Sequence, residues 1–330
     1  RLGRRLRDLR ISVTDRCNFR CPYCMPAEVF GDRYRFLPKP QILTFEEIER
    51  IARAAVRLGV EKLRITGGEP LLRSDLPGLV RRLAAIPGLL DLSLTTNGFM
   101  LAGFAGSLRE AGLSRVTISL ASLDEGVFRA MSGRRTSLAP VLAGLEAAER
   151  AGLGPIKLNC VVKRGVNDHT IVALARHFRG TGHIVRFIEF MDVGTLNGWR
   201  LDDVVSKREI LDRIGAEFPL EPVAPNYAGE VATRFRYRDG QGEIGIIASV
   251  TEPFCGACSR ARLSPEGKLV TCLFAADGHD LRAFVRSDVT DADIEARLAT
   301  IWGGRTNRYS EQRTSETAGT RKLEMYHLGG

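Results

Sequence analysis

Six of the seven cysteines in this chain fall into two groups of three, one near each end. The first group, Cys17, Cys21 and Cys24, lies within DRCNFRCPYCMP at residues 15–26. The second group is Cys255, Cys258 and Cys272, and the seventh cysteine, Cys160, stands apart from both. Clustered cysteines without a secretory signal indicate a metal or catalytic centre more than a disulfide framework.

Neither group contains the four Cys or His ligands that structural zinc normally takes. A zinc ion could recruit a distant ligand, such as His279 for the second group, and a Cys-x-x-Cys pair could act as a redox couple. Three thiolates also suit a [4Fe–4S] cluster with one iron free to bind a substrate or cofactor. The residues favour the open cluster and leave the other two chemistries as alternatives.

Composition limits the class of protein but does not select the partner. The chain has 330 residues, of which 44% are hydrophobic and 26% charged, as in ordinary globular proteins. Its net charge of +9 fits nucleic acid, a membrane surface, a small polyanion or simply solvated arginines. An aromatic content of 7% disfavours nucleic acid. No apolar run is long enough for a membrane span, and the Arg-rich start lacks an apolar signal core. An exposed open cluster needs a reducing, low-oxygen interior, so we expect a cytoplasmic protein.

Strand-like and helix-like segments alternate before residue 200. The six predicted strands are 9–14, 62–68, 92–98, 115–122, 156–162 and 184–191, and the predicted helices include 44–59, 101–112, 138–152 and 168–179. This alternation predicts a parallel sheet with helices outside it, either an open partial barrel or a doubly wound sheet. The loops after the strands then carry the functional residues; the first cysteine group follows strand one, and TGGEP (66–70) follows strand two.

The pattern changes after about residue 215. Residues 230–250 read as a β-hairpin around a glycine-rich turn, and a helix is predicted near 288–301. We therefore predict two parts, residues 1–215 and residues 216–330, the second of which carries the second cysteine group.

The spacing CxxxCxxC, with Tyr23 before the last cysteine, resembles the radical S-adenosylmethionine (SAM) superfamily, and TGGEP resembles its glycine motif. The resemblance implies a [4Fe–4S] cluster on the first cysteine group, which would bind SAM and form a 5′-deoxyadenosyl radical. Together with the strand–helix alternation, the resemblance implies an α/β fold, a partial (β/α)6 TIM-like barrel. The residues that it implies for SAM binding are Tyr23, Gly68, Ser119 and Met191.

Longer stretches resemble the GTP-cyclising enzymes of molybdenum cofactor biosynthesis. They are RDLRISVTDRCNFRCPYCMP, LRITGGEPLLR, MDVGTLNGW, TEPFCGACSRARLSPEGKLVTCLF and GGRTNRYSEQR. The resemblance implies a second [4Fe–4S] cluster on Cys255, Cys258 and Cys272, and conversion of GTP to (8S)-3′,8-cyclo-7,8-dihydroguanosine 5′-triphosphate. The residues that it implies for GTP binding are Arg10, Arg64, Thr95, Lys157, Arg260 and Arg262, with a catalytic tail at Gly329 and Gly330. Ala121 departs from the family, in which many members carry aspartate.

The resemblance also implies partners. These are a downstream cyclic pyranopterin monophosphate synthase and an electron donor of the flavodoxin or ferredoxin type, without nucleic acid or membrane, and a homodimer is left open. Two other functions stay open at this point. One is a radical SAM enzyme with an auxiliary cluster that acts on RNA or a peptide. The other is a non-catalytic iron–sulfur or zinc redox protein.

Overall fold

The computed structural model of the protein describes residues 3–133, 137–314 and 319–329. Its strands in these ranges are β1 Asp8–Ser12, β2 Lys62–Thr66, β3 Asp91–Thr96, β4 Arg115–Ser119, β5 Lys157–Val162, β6 Ile184–Glu189, β7 Leu220–Val223, β8 Thr233–Tyr237, β9 Glu243–Ile247, β10 Arg260–Leu263, β11 Lys268–Val270 and β12 His279–Asp280. The helices are α1 Phe45–Arg57, α2 Leu76–Ala84, α3 Ala105–Glu110, α4 Glu125–Ser132, α5 Ala139–Arg150, α6 Ile171–Phe178, α7 Lys207–Gly215, α8 Arg282–Arg286, α9 Asp291–Gly303 and α10 Met325–Leu328.

The strands form one sheet in the order β12-β11-β10-β1-β2-β3-β4-β5-β6-β9-β8-β7. Strands β1 to β6 are parallel neighbours in chain order, and helices occupy every crossover between them. A doubly wound sheet would reverse its strand order at a switch point, and this sheet does not. The predicted partial (β/α)6 barrel is therefore confirmed, and the doubly wound alternative is wrong.

The C-terminal part completes both edges of this partial barrel. Strand β9 pairs in parallel with β6, and β10 pairs in parallel with β1. The chain between them, residues 248–259, therefore crosses from one edge of the six central strands to the other. It carries Cys255 and Cys258 with it. The predicted hairpin is present as antiparallel β8 and β9. Because one sheet runs through both parts, the division near residue 215 stays a prediction.

Helix α1 shows why the predicted elements form. Thr44 and Glu47 make the expected capping box, and Ile48 and Ile51 are buried on its inner face. The helix ends before Gly59, whose φ of 98° suits glycine. On its outer side, Arg50 and Arg57 of α1 form ion pairs with Asp291 and Glu295 of the predicted C-terminal helix α9.

The central strands alternate between apolar and polar residues. In β1, β2 and β6 the flanking positions are apolar and buried, while the middle positions are Arg10, Arg64 and Arg186. Since successive side chains point to opposite faces, the apolar ones pack under the helices and the arginines face the barrel interior. The fold thus places cations inside the barrel. No helix of the described ranges is long and apolar enough to cross a bilayer.

We expect Thr44→Ala to lower the free energy of unfolding by about 1 kcal/mol, because the first turn of α1 loses its side-chain cap. Thr44→Ser keeps the accepting oxygen and should match the unsubstituted protein. Urea denaturation of the three proteins measures the difference. Equal stability of the alanine and serine variants would contradict this role of the capping box.

Candidate active site

One cavity inside the barrel is bordered by both cysteine groups. Its walls include the N-terminal cysteines Cys17, Cys21 and Cys24. They also include the C-terminal cysteines Cys255, Cys258 and Cys272. The first triad follows β1 directly, and the second lies on the crossing segment and after β11. The structure thereby provides the shared chamber that two cooperating centres require.

Most residues predicted for ligand binding line this same cavity. They are Arg10, Tyr23, Arg64, Gly68, Thr95, Ser119, Met191, Arg260 and Arg262. Lys157 instead lines an adjoining recess, which shares Arg10, Arg64 and Arg260 with the cavity. Gly330 lies outside the described residues. Cys160 is a buried residue of β5, only 1% exposed, as its isolated position suggested.

The first triad lies in a loop whose backbone folds back on itself. The amides of Cys24 and Met25 both donate to the Cys21 carbonyl, at 3.0 and 2.8 Å, and the Phe19 amide donates to Cys17 Sγ at 3.3 Å. Burial raises the pKa of Cys17 to about 12 and that of Cys21 to about 11, because a thiolate is costly in apolar surroundings. A metal bound by these thiols would favour their deprotonation.

The TGGEP loop packs against the segment that leads into the first triad. The amides of Gly68 and Glu69 donate to the carbonyls of Thr14 and Arg16, each at 2.7 Å. A Cβ on Gly68 would overlap the Arg16 carbonyl oxygen. Glycine is thus required here by contact between two loops, in addition to any close approach of a ligand.

Glu69 holds a third loop in place, a role that the sequence reasoning missed. Its carboxylate accepts from the Asn97 amide at 2.8 Å and from the Thr96 hydroxyl at 2.7 Å. Complete burial raises the pKa of this carboxyl to about 7, against the opposing effect of those hydrogen bonds. Asn97 in turn lines the cavity.

The second triad is surrounded by arginines. Arg4 donates to the Cys255 carbonyl at 2.7 Å, Arg305 donates to the Cys258 carbonyl at 2.8 Å, and Arg260 lies 3.8 Å from Cys258 Sγ. Burial raises the pKa of Cys258, but Arg260 and Arg305 together outweigh it and bring the value to about 6. Within the described ranges, Arg4 Nη2 and Arg305 Nε are buried without a hydrogen-bond partner. These free donors fit an anionic group such as a thiolate-bound iron–sulfur cluster.

Zinc and an iron–sulfur cluster require different spacings of the thiol sulfurs. In a tetrahedral zinc site the sulfurs converge to about 3.8 Å from one another, given Zn–S bonds of about 2.3 Å. Among the residues that the structure describes, no three His, Cys, Asp or Glu side chains are arranged to hold a single ion. His279, the candidate fourth ligand, is exposed on β12. In a [4Fe–4S] cluster each cysteine binds a different iron, so its thiols stand farther apart.

Three arginines stand side by side on neighbouring strands. Arg10 of β1 is in register with Arg262 of β10 on one side and with Arg64 of β2 on the other. Burial lowers the pKa of all three arginines, to about 10 for Arg64 and to about 9 for Arg262. For Arg10, the positive charges of Arg262 and Arg64 lower the pKa further. Like charges on adjacent strands are destabilising. We call this set, Arg10, Arg64 and Arg262, the arginine row. Its positive charge suits a bound polyanion.

Two further cations extend the arginine row. Arg186 of β6 borders both the cavity and the recess, and burial together with Arg64 lowers its pKa to about 9. Burial together with Arg186 lowers the pKa of Lys157 to about 7. The sequence reasoning missed Arg186, although its position between the apolar Val185 and Phe187 was a usable signal.

Two buried hydroxyls also face the cavity without a partner inside the described part of the chain. Thr95 Oγ1 and Ser249 Oγ each lack a hydrogen-bond partner there, and both residues line the cavity. An unpaired buried hydroxyl is costly, so each is available to a bound ligand. Thr95 was predicted to bind ligand and Ser249 was not.

Comparison with known proteins identifies the class. Residues 11–178 match the model of the radical SAM superfamily, which covers half of the chain, and residues 183–311 match the model Molybdenum Cofactor Synthesis C. The chain is therefore a radical SAM enzyme. Membership of that superfamily implies a [4Fe–4S] cluster and SAM as cofactors.

Curated relatives then identify the family. The chain is 57% identical to a protein of Acidothermus cellulolyticus (97% of this chain, 90% of that protein) and 52% identical to one of Xanthomonas campestris pv. campestris (100% and 96%). It is 47% identical to one of Staphylococcus epidermidis (100% and 98%). All three relatives are named GTP 3′,8-cyclase. The chain belongs to the GTP 3′,8-cyclase family.

Solved structures agree on the fold. Streptococcus suis SuiB bound to S-adenosylmethionine superposes with a TM-score of 0.61 over 97% of this chain and 72% of that one. SuiB bound to precursor peptide SuiA gives 0.62 over 91% of this chain, which spans 65% of the SuiB chain. At 14% identity, these likenesses concern the fold alone.

We expect Gly68→Ala to lower the melting temperature and the amount of iron held by the first triad, because the new Cβ must displace the Arg16 carbonyl. Gly106→Ala is the matched control. Gly106 lies in α3 with open space around its Cα, so alanine there should slightly stabilise the helix. Thermal unfolding and iron analysis of both variants test this, and a Gly68→Ala protein that behaves like the control would contradict it.

Proposed function

We propose that this enzyme is a GTP 3′,8-cyclase, which converts GTP to (8S)-3′,8-cyclo-7,8-dihydroguanosine 5′-triphosphate in the first step of molybdenum cofactor biosynthesis. The observation that carries the proposal is the arginine row inside a cavity that both cysteine triads border. A substrate for this site must be a polyanion that reaches two metal centres. The names of the relatives and the molybdenum cofactor domain support GTP as that substrate.

The first triad and the neighbouring strand ends form the SAM site in this proposal. Cys17, Cys21 and Cys24 would hold the cluster, and the chemistry that cluster and SAM supply when bound is reductive cleavage of SAM to a carbon-centred radical. Gly68, Ser119 and Met191 line the cavity at or just beyond the ends of β2, β4 and β6. The three cysteines are half-buried and border the cavity, so a cofactor in the cavity can reach them.

The second triad would hold a second [4Fe–4S] cluster at the purine end of the nucleotide. The support for it is the chemistry of its surroundings. Three arginines approach Cys255 and Cys258, and two of their N–H groups are buried without a partner in the described ranges. Such donors stabilise an anionic cluster and keep its thiol loop in one conformation.

The arginine row would bind the triphosphate, together with Arg186 and Lys157. GTP carries about four negative charges near neutral pH, and charge-assisted bonds from guanidinium to phosphate are among the strong hydrogen bonds in proteins. Because the strands themselves hold these cations, the nucleotide is oriented by rigid backbone. Thr95 adds a hydroxyl that the described chain leaves unpaired.

The C-terminal tail would complete the site. Gly329 has a φ of 70°, and its carbonyl accepts from Arg262 Nη1 at 2.8 Å. A Cβ at this position would overlap the Thr66 hydroxyl. Only glycine fits here, as expected for a tail that enters a narrow opening. We propose the same role for Gly330.

The remaining partners follow from the activity. We propose that a cyclic pyranopterin monophosphate synthase consumes the product and that a flavodoxin or ferredoxin delivers the electron. Both would meet the enzyme in the cytoplasm.

Anaerobic reconstitution should give about eight iron per chain, because two [4Fe–4S] clusters form. Incubation with SAM, a reductant and GTP should then yield 5′-deoxyadenosine, and omission of GTP should suppress it. Cys255→Ala should halve the iron and abolish cyclisation, whereas Cys160→Ala, outside both triads, should leave both unchanged. Zinc without iron, or 5′-deoxyadenosine formation that depends on an RNA or peptide in place of GTP, would contradict the proposal.

Nucleotide binding should weaken as the pH rises above about 7. In the free protein the pKa of Lys157 is about 7, and a bound polyanion raises it because it favours the charged form. Binding therefore takes up a proton on the alkaline side of pH 7. Lys62, whose burial lowers its pKa to about 8, adds to the effect.

Calorimetry of GTP binding in two buffers of different ionisation enthalpy, between about pH 7.5 and 9, counts these protons. Lys157→Arg should reduce the uptake, since guanidinium stays charged throughout this range. Identical proton uptake by the two proteins would contradict the placement of Lys157 beside the triphosphate.

A further inference from the structure

Two sequence motifs belong only in part to the site described above. In MDVGTLNGW, at residues 191–199, Met191 lines the cavity, and in GGRTNRYSEQR, at residues 303–313, Arg305, Asn307 and Ser310 do so. More than a hundred residues separate them in the chain. In the structure they meet each other and the C-terminal segment, residues 319–329.

Asp192 contacts both the second motif and the C-terminal segment. Its carboxylate accepts from Arg313 Nε at 2.9 Å, from Lys322 Nζ at 3.2 Å and from the Tyr309 hydroxyl at 2.5 Å. The side chains are almost fully buried, with exposures of 2% for Asp192, 7% for Arg313 and 0% for Lys322. The first motif thus provides the acceptor, and the second motif and the tail provide the donors.

A second contact fixes the tail two residues later. The carboxylate of Glu324 accepts from both the amide and the hydroxyl of Thr195, at 2.8 and 2.9 Å. Gly194, with a φ of 75°, gives that carboxylate room beside the loop. The tail is therefore tied to the first motif at two points.

The last turn of the tail then packs on the loop that follows the first triad. The ring of Tyr326 lies 4.8 Å from that of Phe30, and its hydroxyl is 2.8 Å from the Tyr34 hydroxyl. From there the chain reaches Gly329 and its bond with Arg262 of the arginine row. Only eight residues run from Lys322 to Gly329. The position of Lys322 therefore limits where Gly329 can lie.

We propose that Asp192 is a positioning residue and that the two motifs serve as the dock for the C-terminal tail. Asp192 binds the tail through Lys322, and this contact sets the position of Gly329 at Thr66 and Arg262. That the docked tail acts in catalysis rests on the proposed function. The dock itself does not, because its contacts are made by the chain alone.

Because the dock is buried, the charge pair between Asp192 and Lys322 can fix the position of the tail. A buried ion pair adds little stability relative to apolar residues, but loss of one partner leaves a buried charge unpaired and costs much more. Such a pair therefore selects one docked arrangement over nearby ones. Tyr309 extends the effect to the second triad, since its ring stacks on Phe274, two residues after Cys272, at a centroid distance of 4.6 Å.

The test uses full-length reconstituted protein and two readouts of the tail that need no turnover. These are hydrogen exchange of the peptide covering residues 322–329, and the rate at which a carboxypeptidase trims the C terminus. Lys322→Met removes the charge while keeping the length of the side chain, so we expect exchange and trimming at least tenfold faster, since both follow the population of the undocked tail. Lys322→Arg should restore the rates of the unsubstituted protein. Lys39→Met, at an exposed lysine, is the matched control and should change nothing.

Asp192→Asn should also release the tail, and Asp192→Asn combined with Lys322→Met should release it by less than the sum of the two changes, because both remove the contact between Asp192 and Lys322. If Asp192→Asn does not fold, the comparison of Lys322→Met with Lys322→Arg decides alone. Unchanged exchange and trimming in Lys322→Met would overturn the dock, whatever the activity.

Turnover separates the dock from the proposed function. We expect Lys322→Met to lower kcat for GTP at least tenfold with a smaller change in KM, because the strands hold the backbone of the arginine row even when Arg262 loses its bond to Gly329. A released tail with unchanged kcat would support the docking contact and contradict the catalytic role of the tail.

Discussion

Arg262, Arg10 and Arg64 lie side by side on three neighbouring strands, and the burial of three like charges costs free energy that a bound anion offsets. The protein supplies no matching row of carboxylates at the middle of these strands. Their lowered pKa values express the same imbalance, as do those of Arg186 and Lys157. The charge of this interior therefore suits an anionic ligand, which is the basis of the proposed triphosphate site.

The unclosed barrel makes such an interior possible. A closed eight-stranded barrel fills its centre with side chains, whereas six strands leave a gap. Here the gap is spanned by residues 248–259, which leave β9 at one edge and enter β10 at the other. That segment adds Arg262 to the row and places Cys255 and Cys258 on the same cavity as the first triad. One crossing thus leads into the strand of the third arginine and carries two cysteines of the second triad.

Sequence patterns predicted the elements whose signal is local. The six central strands, the capped helix α1 and the hairpin β8–β9 all follow from apolar periodicity, capping residues or turn glycines. Strands β10 to β12 were missed because they are two to four residues long and β10, with the sequence RARL, alternates charge and apolar residues next to cysteines. Helix α2 was missed because its second and third residues are Pro and Gly.

The parts of the candidate site that lie close together in the sequence were predictable. The parts that depend on the pairing of strands or on contacts between distant residues were not. Cysteine spacing indicated both triads. Nothing local shows that Arg10, Arg64 and Arg262 are in register, because that follows from the order of the strands. Asp192 could not be foreseen either, since its partners lie more than a hundred residues away. Lys157 was predicted to bind the nucleotide, and the structure places it in the recess beside the main cavity.

The location of bound GTP tests the central claim most directly. A crystal structure of the reconstituted enzyme with GTP, with the irons located by their anomalous scattering, would show it. The account predicts a triphosphate on Arg262, Arg10 and Arg64, in a chamber that both iron clusters border. A nucleotide bound outside that chamber, or an arginine row that stays free of phosphate, would contradict it.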